Sequence, residues 1–262
     1  MSRSVDVVII GSGNVAEAFA RAVSGAEGVF LRQIFARNSE RGHMLARECN
    51  TKWSCEPEEL AEADLYIIAI SDRAVESVAR SLRFRPGAMV VHTAGSVPLA
   101  ALPSQGVRCG ILYAFQSFTA GRSVQFEGLP LFVEAESEQD YLMLESFGRM
   151  LGCRVERADS ERRRRIHLAG VFVNNFVNHL YGVARGVVEG VGLDFEVLKP
   201  LIRETAMKAL DVDNPESVQT GPAVRGDRAV CERHLEMLQG DDVKQHIYKY
   251  ITESIWETSK RM

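Results

Sequence analysis

Gly11-Ser12-Gly13-Asn14-Val15-Ala16 sets two glycines and an alanine at GxGxxA spacing, directly after the apolar run Val7-Val8-Ile9-Ile10. A strand, a glycine turn and a helix in that order read as a dinucleotide-binding loop. Each small residue has its own task. Gly11 permits the tight turn, Gly13 lets a pyrophosphate approach the backbone, and Ala16 lets the helix pack close to the sheet. The helix that starts here offers free N–H groups and a positive dipole end to phosphate. Gly11, Ser12, Gly13, Asn14 and Val15 are therefore expected against the cofactor. The alternative is a glycine turn with no ligand.

The second strand ends Phe35-Ala36-Arg37-Asn38-Ser39, with Arg41 close behind. An NAD enzyme usually has a carboxylate here for the ribose hydroxyls. A carboxylate would repel a 2′-phosphate, whereas an arginine fork matches it. Arg37, Asn38 and Ser39 therefore point to NADP(H). A solvated Arg37 and a helix-capping Ser39 are the plainer alternative. Two further strand ends, Ile70-Ser71-Asp72 and His92-Thr93, belong on the same carboxyl edge, where open α/β sheets bind ligands. Ile70, Ser71 and Thr93 are expected along the cofactor. His92 either lines the cleft or is packed in the core.

The elements that must position these residues alternate. Strand-like runs at 7–10, 33–36, 64–70, 88–92, 107–112, 129–133 and 153–157 are separated by helical patterns at 15–23, 40–48, 73–82 and 139–151. Such alternation implies an α/β domain with a Rossmann-like parallel sheet. The texture changes near Asp159. Helical patterns then cover roughly 161–190, 194–212, 226–239 and 241–259, broken at Gly192, Pro215 and Gly221-Pro222. The expected division is a dinucleotide-binding domain over 1–158 and an all-helical substrate and dimerisation domain over 159–262.

Residues 166–184 contain no Asp, Glu, Lys or Arg, a length that could span a bilayer. His167, Asn174, Asn175, Asn178 and His179 make such a span costly, so a buried soluble helix is expected. At 3.6 residues per turn, His167, Val171, Asn174, Asn178, Tyr181 and Arg185 share one stripe. Neutral hydrogen-bonding groups there suit a shielded surface, either a cleft floor or a subunit interface. His167 is the candidate general acid/base, since an imidazole titrates near neutral pH. Asn174 or Asn175 would orient the substrate, and Tyr113, Gln116 and Ser117 would line its pocket. Arg225 could hold a carboxylate bidentately, or simply flank a helix start capped by Asp227.

The chain resembles Rossmann-like NADP-dependent oxidoreductases that carry a C-terminal helical domain of uncharacterised function. Relatives of that group are pyrroline-5-carboxylate reductases, 6-phosphogluconate and β-hydroxyacid dehydrogenases, and deazaflavin-dependent NADP oxidoreductases. The resemblance spans essentially the whole chain. It rests on GSGNVA (11–16), ISD (70–72), VVHTAGS (90–96), LYAFQSF (112–118), HLAGVFVNNF (167–176) and QTGPAVRGD (219–227). It implies a dinucleotide-binding domain, a helical dimerisation domain giving a homodimer, and a site between them. Two departures stand out. The related hydroxyacid dehydrogenases carry a lysine one turn before an asparagine; if Asn175 matches that asparagine, the lysine position holds Val171. No lysine lies between Lys52 and Lys199. Members of the closer group often read His-Pro where this chain has Tyr113-Ala114.

Bulk properties narrow the field further. With 262 residues, 46% hydrophobic and 25% charged, the chain can bury a sizeable core. A net charge of −4 argues against nucleic acid as a partner. Five single cysteines give neither a disulfide framework nor a metal site. They and the lack of a signal-like core ahead of Val5 point to the cytoplasm, with no membrane partner. The expected activity is NADP(H)-dependent hydride transfer to or from a small, carboxylate-bearing carbonyl or imine compound. The missing lysine keeps open a non-catalytic NADP(H)-binding sensor or regulator.

Overall fold

A computed structural model describes residues 4–103 and 105–261. Its sheet has eight strands: β1 (Val5–Ile10), β2 (Val29–Phe35), β3 (Lys52–Ser54), β4 (Leu65–Ile68), β5 (Met89–His92), β6 (Arg108–Ala114), β7 (Pro130–Ala135) and β8 (Arg154–Arg157). Their order is β3-β2-β1-β4-β5-β6-β7-β8. The first six of these are mutually parallel in the Rossmann arrangement. Val7, Val8, Ile9, Leu65, Ile67 and Ile68 have no exposed surface, because helices cover both faces of a parallel sheet.

Those helices are α1 (Asn14–Gly25), α2 (Ser39–Glu48), α3 (Val75–Ser81) and α4 (Glu138–Met150). Phe19, Ala20, Leu45, Leu144 and Phe147 turn inward to one layer of the core, and Val75 and Ala79 to the other. After β3 the chain crosses back over β1 to form β4. That reversal opens a crevice at the carboxyl ends of β1 and β4.

The structure corrects the sequence expectations in four places. Strand β3 was not expected; its three residues carry no periodic signal and pair with the end of β2. The sheet is not wholly parallel, because β7 runs antiparallel to β6. A parallel return needs a crossover element, and no helix lies between Ala114 and Pro130. Strand β8 then runs parallel to β7 after α4.

The third correction concerns the helix expected over 161–190. It divides into α5 (Ser160–Gly170), a π-helical turn (Val171–Phe176) and α6 (Val177–Glu189). Fourth, the helix expected to be buried is not: Phe172, Val173 and Phe176 are about half to two-thirds exposed.

Helices α7 (Lys199–Leu210), α8 (Arg228–Met237) and α9 (Asp242–Ser259) follow. Residues to Asn175 form one compact unit, and those from Phe176 form a second. Strand content ends at Arg157, but the first compact unit continues through α5 and most of the π turn. Among the described residues from 176 onward, none is buried. Among the described residues, no helix is long and apolar enough to cross a membrane.

Candidate active site

The crevice at the carboxyl ends of β1 and β4 holds a cavity of about 880 Å³, within the ordinary size range of ligand pockets. Gly11, Ser12, Gly13, Asn14, Val15, Arg37, Asn38, Ile70 and Ser71 line it. These residues were expected on the cofactor. Ser39 and Thr93 line neither this cavity nor the second one described below. Ser39 opens α2, and the Thr93 amide donates to the Ile68 carbonyl at 3.2 Å.

The two glycines serve different ends. Gly11 has φ +128°, and a Cβ there would lie 2.2 Å from the Ala69 carbonyl oxygen. Only glycine passes so close to the end of β4. At Gly13 a Cβ would meet nothing within 4 Å. The space above Gly13 is open, as an approaching diphosphate requires.

Helix α1 is left ready for an anion. Asn38, Ser137 and Asp159 side chains cap α2, α4 and α5, but no side chain caps α1 at Gly13. Its first turn presents N–H groups without intrahelical partners. At the rim, Arg41 donates to Asn14 Oδ1 at 3.3 Å and lies 3.7 Å from Glu17. Arg37 is exposed and, among the described residues, makes no hydrogen bond or ion pair. Its guanidinium is free to take a phosphate.

A second cavity of about 380 Å³ is lined by Tyr113, Gln116, Ser117, Phe118, His167, Asn174 and Asn175, among others. The expected catalytic and pocket residues of the α/β unit thus come together. Asn174 and Asn175 both line it and lie on the π turn. A regular α-helix sets neighbours about 100° apart on its surface, and π turns frequently mark functional sites. Val15 and Phe118 line both cavities. Asn14 fixes that junction by donating through Nδ2 to the Phe118 carbonyl at 3.1 Å.

Two further candidates are not among these lining residues. His92 has no exposed surface and lines neither cavity. The Ala94 amide donates to its Nδ1 at 3.2 Å, and burial, followed by the Arg163 charge, holds its ring near pKa 4. It is a packed neutral histidine. Arg225 lies in the second unit on an exposed turn, beside Asp227, whose side chain caps α8.

Sequence reasoning passed over Cys55, Pro57, Val78, Ser81 and Leu82, which also line the larger cavity. They sit after β3 and around α3, where no motif marks them. Cys109 and Cys153 are buried thiols pushed up to about 11 and about 12, and so are inert.

An open glycine loop at an uncapped helix start, at the carboxyl edge of a Rossmann-type sheet, is the arrangement of a dinucleotide-binding domain. Residues 6–95 match the family described as NADP oxidoreductase, coenzyme F420-dependent, and residues 129–255 match a domain of unknown function, DUF2520. A crystal structure from Bacteroides fragilis described as an NADP oxidoreductase is 35% identical, with a TM-score of 0.87 over 97% of this chain and 98% of that one. The chain belongs to this NADP oxidoreductase family, whose cofactor is NADP(H).

More distant likenesses concern the fold alone. The reductive aminase from Aspergillus terreus, solved with NADPH and ethyl-5-oxohexanoate, is 12% identical with a TM-score of 0.69, covering 98% of this chain and 93% of that one. A 1-pyrroline-5-carboxylate reductase from Streptococcus pyogenes is 14% identical with a TM-score of 0.66 over the whole of both chains. Among curated proteins, none matches the sequence.

Proposed function

We propose that the protein transfers hydride between NADP(H) and a small carbonyl or imine compound held in the second cavity. One observation carries this reading. The glycine-loop cavity and the His167 cavity share Val15 and Phe118, so a cofactor seated in the first has its far end at the mouth of the second. The residues fit the cofactor: the uncapped start of α1 and open Gly13 for the diphosphate, Arg37 with Asn38 for the 2′-phosphate, and Ile70 and Ser71 further along. When bound, it supplies the hydride.

The chain's own residues supply position and a proton. Asn174, Asn175, Gln116 and Ser117 offer neutral donors and acceptors to the substrate heteroatom. His167 gives or takes the proton at that atom.

We also propose a homodimer formed through the helical unit, acting in the cytoplasm. Val191, Leu201, Leu210 and Met237 are each 65–78% exposed in the single chain. Large apolar side chains left exposed on the helical unit would gain from being covered by a second copy.

A thermal-shift series tests the cofactor assignment. NADPH raises the melting temperature well above NADH in the parent chain. Arg37→Ala weakens NADPH by about 10- to 100-fold, the worth of one charge-assisted contact, and leaves NADH unchanged. Equal stabilisation of the parent chain by NADH would remove Arg37 from its role.

A further inference from the structure

His167 stands near the end of α5 on the wall of the second cavity, with Nδ1 3.1 Å from the Tyr113 hydroxyl. The surroundings are shaped for that contact. Tyr113 is held in β6, edge-on to Phe115 and stacked along Phe132. The buried Gly95 closes the third side. A Cβ there would lie 2.8 Å from His167 Nδ1 and 2.9 Å from Tyr113 Cε2, so a methyl group would push the pair apart. Gly170 makes similar room, since a Cβ on it would lie 2.8 Å from the Phe115 ring.

The charges that reach the phenol are Asp72, hydrogen-bonded to Ser96, and Arg163, paired with Glu134. Burial, then Asp72, pushes the hydroxyl above its ordinary range, and Arg163 opposes them. A phenol that keeps its proton serves as a donor. An imidazole nitrogen that accepts such a bond leaves the ring proton on the other nitrogen. Among the described residues, His167 Nε2 has no hydrogen-bond partner.

We propose that Tyr113 is a positioning residue for His167: its hydroxyl donates to Nδ1, and Gly95 leaves the space for it, so that Nε2 carries the proton presented to the cavity. The functional meaning rests on the reading of this cavity as the substrate site. Tyr113 itself touches no reacting atom. It fixes which nitrogen is the donor and where that nitrogen points. During reduction the Nε2–H bond would break as an O–H or N–H bond forms on the substrate while the Tyr113 hydroxyl proton moves onto Nδ1, so the ring stays neutral and the charge rests on the phenolate; proton uptake from water at Nε2 then returns the Nδ1 proton to Tyr113.

Proton–nitrogen correlation spectra of the full chain, labelled with ¹⁵N-histidine and recorded near pH 8, test this directly. The His167 signals are assigned by their loss in His167→Asn. In the parent chain Nε2 bears the proton and Nδ1 resonates as a hydrogen-bonded acceptor. Tyr113→Phe keeps the ring packing and moves Nδ1 to the position of an unbonded ring nitrogen. Gly95→Ala does the same through space, and the NADPH-induced thermal shift survives in both. A proton found on Nδ1 of the parent chain, or a Nδ1 signal unmoved by Tyr113→Phe, would overturn the proposal. An intact nitrogen pattern in a parent chain that NADPH does not stabilise would leave the pair standing and strike the cofactor assignment alone.

Discussion

Replacing Gly13 with aspartate separates what the glycine loop does for folding from what it does for the ligand. Gly13 caps α1 with ordinary extended dihedrals, φ −78° and ψ 179°, and a Cβ there meets nothing within 4 Å. Aspartate can therefore enter without strain, and its carboxylate can accept from the uncapped first turn. Exchanging glycine for aspartate at a cap gains a few tenths of a kcal/mol, and the negative charge at the positive end of the helix adds about 0.3–1 kcal/mol. Together these amount to roughly 0.5–1.3 kcal/mol, or about 1–5 °C in melting temperature for a chain of this size. The same carboxylate occupies the N–H groups that a diphosphate needs, and it repels that diphosphate. In the parent chain NADPH at a hundred times its Kd adds about 2.7 kcal/mol, which is roughly 5–10 °C. The variant should melt at or above the parent temperature without cofactor and show no NADPH shift. Differential scanning fluorimetry with and without NADPH reads both numbers. A retained shift would mean that the diphosphate does not sit at α1, and a large loss of apo stability would mean that Gly13 is not open.

Two further predictions concern stability. His92 is held near pKa 4 by burial and Arg163, below the ordinary histidine value of 6.5. Below pH 6.5 the unfolded chain therefore binds this proton first, and stability falls as the pH drops toward 4 by an amount of order 3 kcal/mol. His92→Gln should flatten that part of the pH dependence in urea-midpoint measurements, and an unchanged slope would exclude His92 as its source. Arg163, 1% exposed, pairs with Glu134 and donates to the Val97 carbonyl at 2.6 Å. Arg163→Met should cost about 3 kcal/mol by stranding the Glu134 carboxylate. Adding Glu134→Gln should recover part of it in the same assay; a double variant no more stable than the single would mean that the ion pair is not the cause.

Local signals placed much of this molecule. The run Val7 to Ile10, the glycines at 11 and 13 and the small Ala16 dictate strand, turn and helix over a few residues. Arg37 lay at a strand end whose place in the fold follows from the glycine loop. His167, Asn174 and Asn175 stood out because a helical face without ordinary solvent charges must find polar partners. Each of these signals is contained within about two helical turns of chain.

Tertiary structure decided the rest, because the deciding contacts join residues far apart in sequence. Strand β3 exists through pairing with β2, and β7 turned antiparallel for want of a crossover helix. Arg163 looked like one member of a basic run, Arg162 to Arg165, yet it is buried against β7 and the segment after β5. The π turn that carries both asparagines breaks the 3.6-residue period on which the sequence pattern depends. Tyr113 was expected in the pocket from the sequence, but its contact with His167, and the room that Gly95 leaves for it, arise only when the fold brings together positions 54 and 72 residues apart, respectively. Spacing along a sequence reports which groups share a face; only packing reports what that face meets.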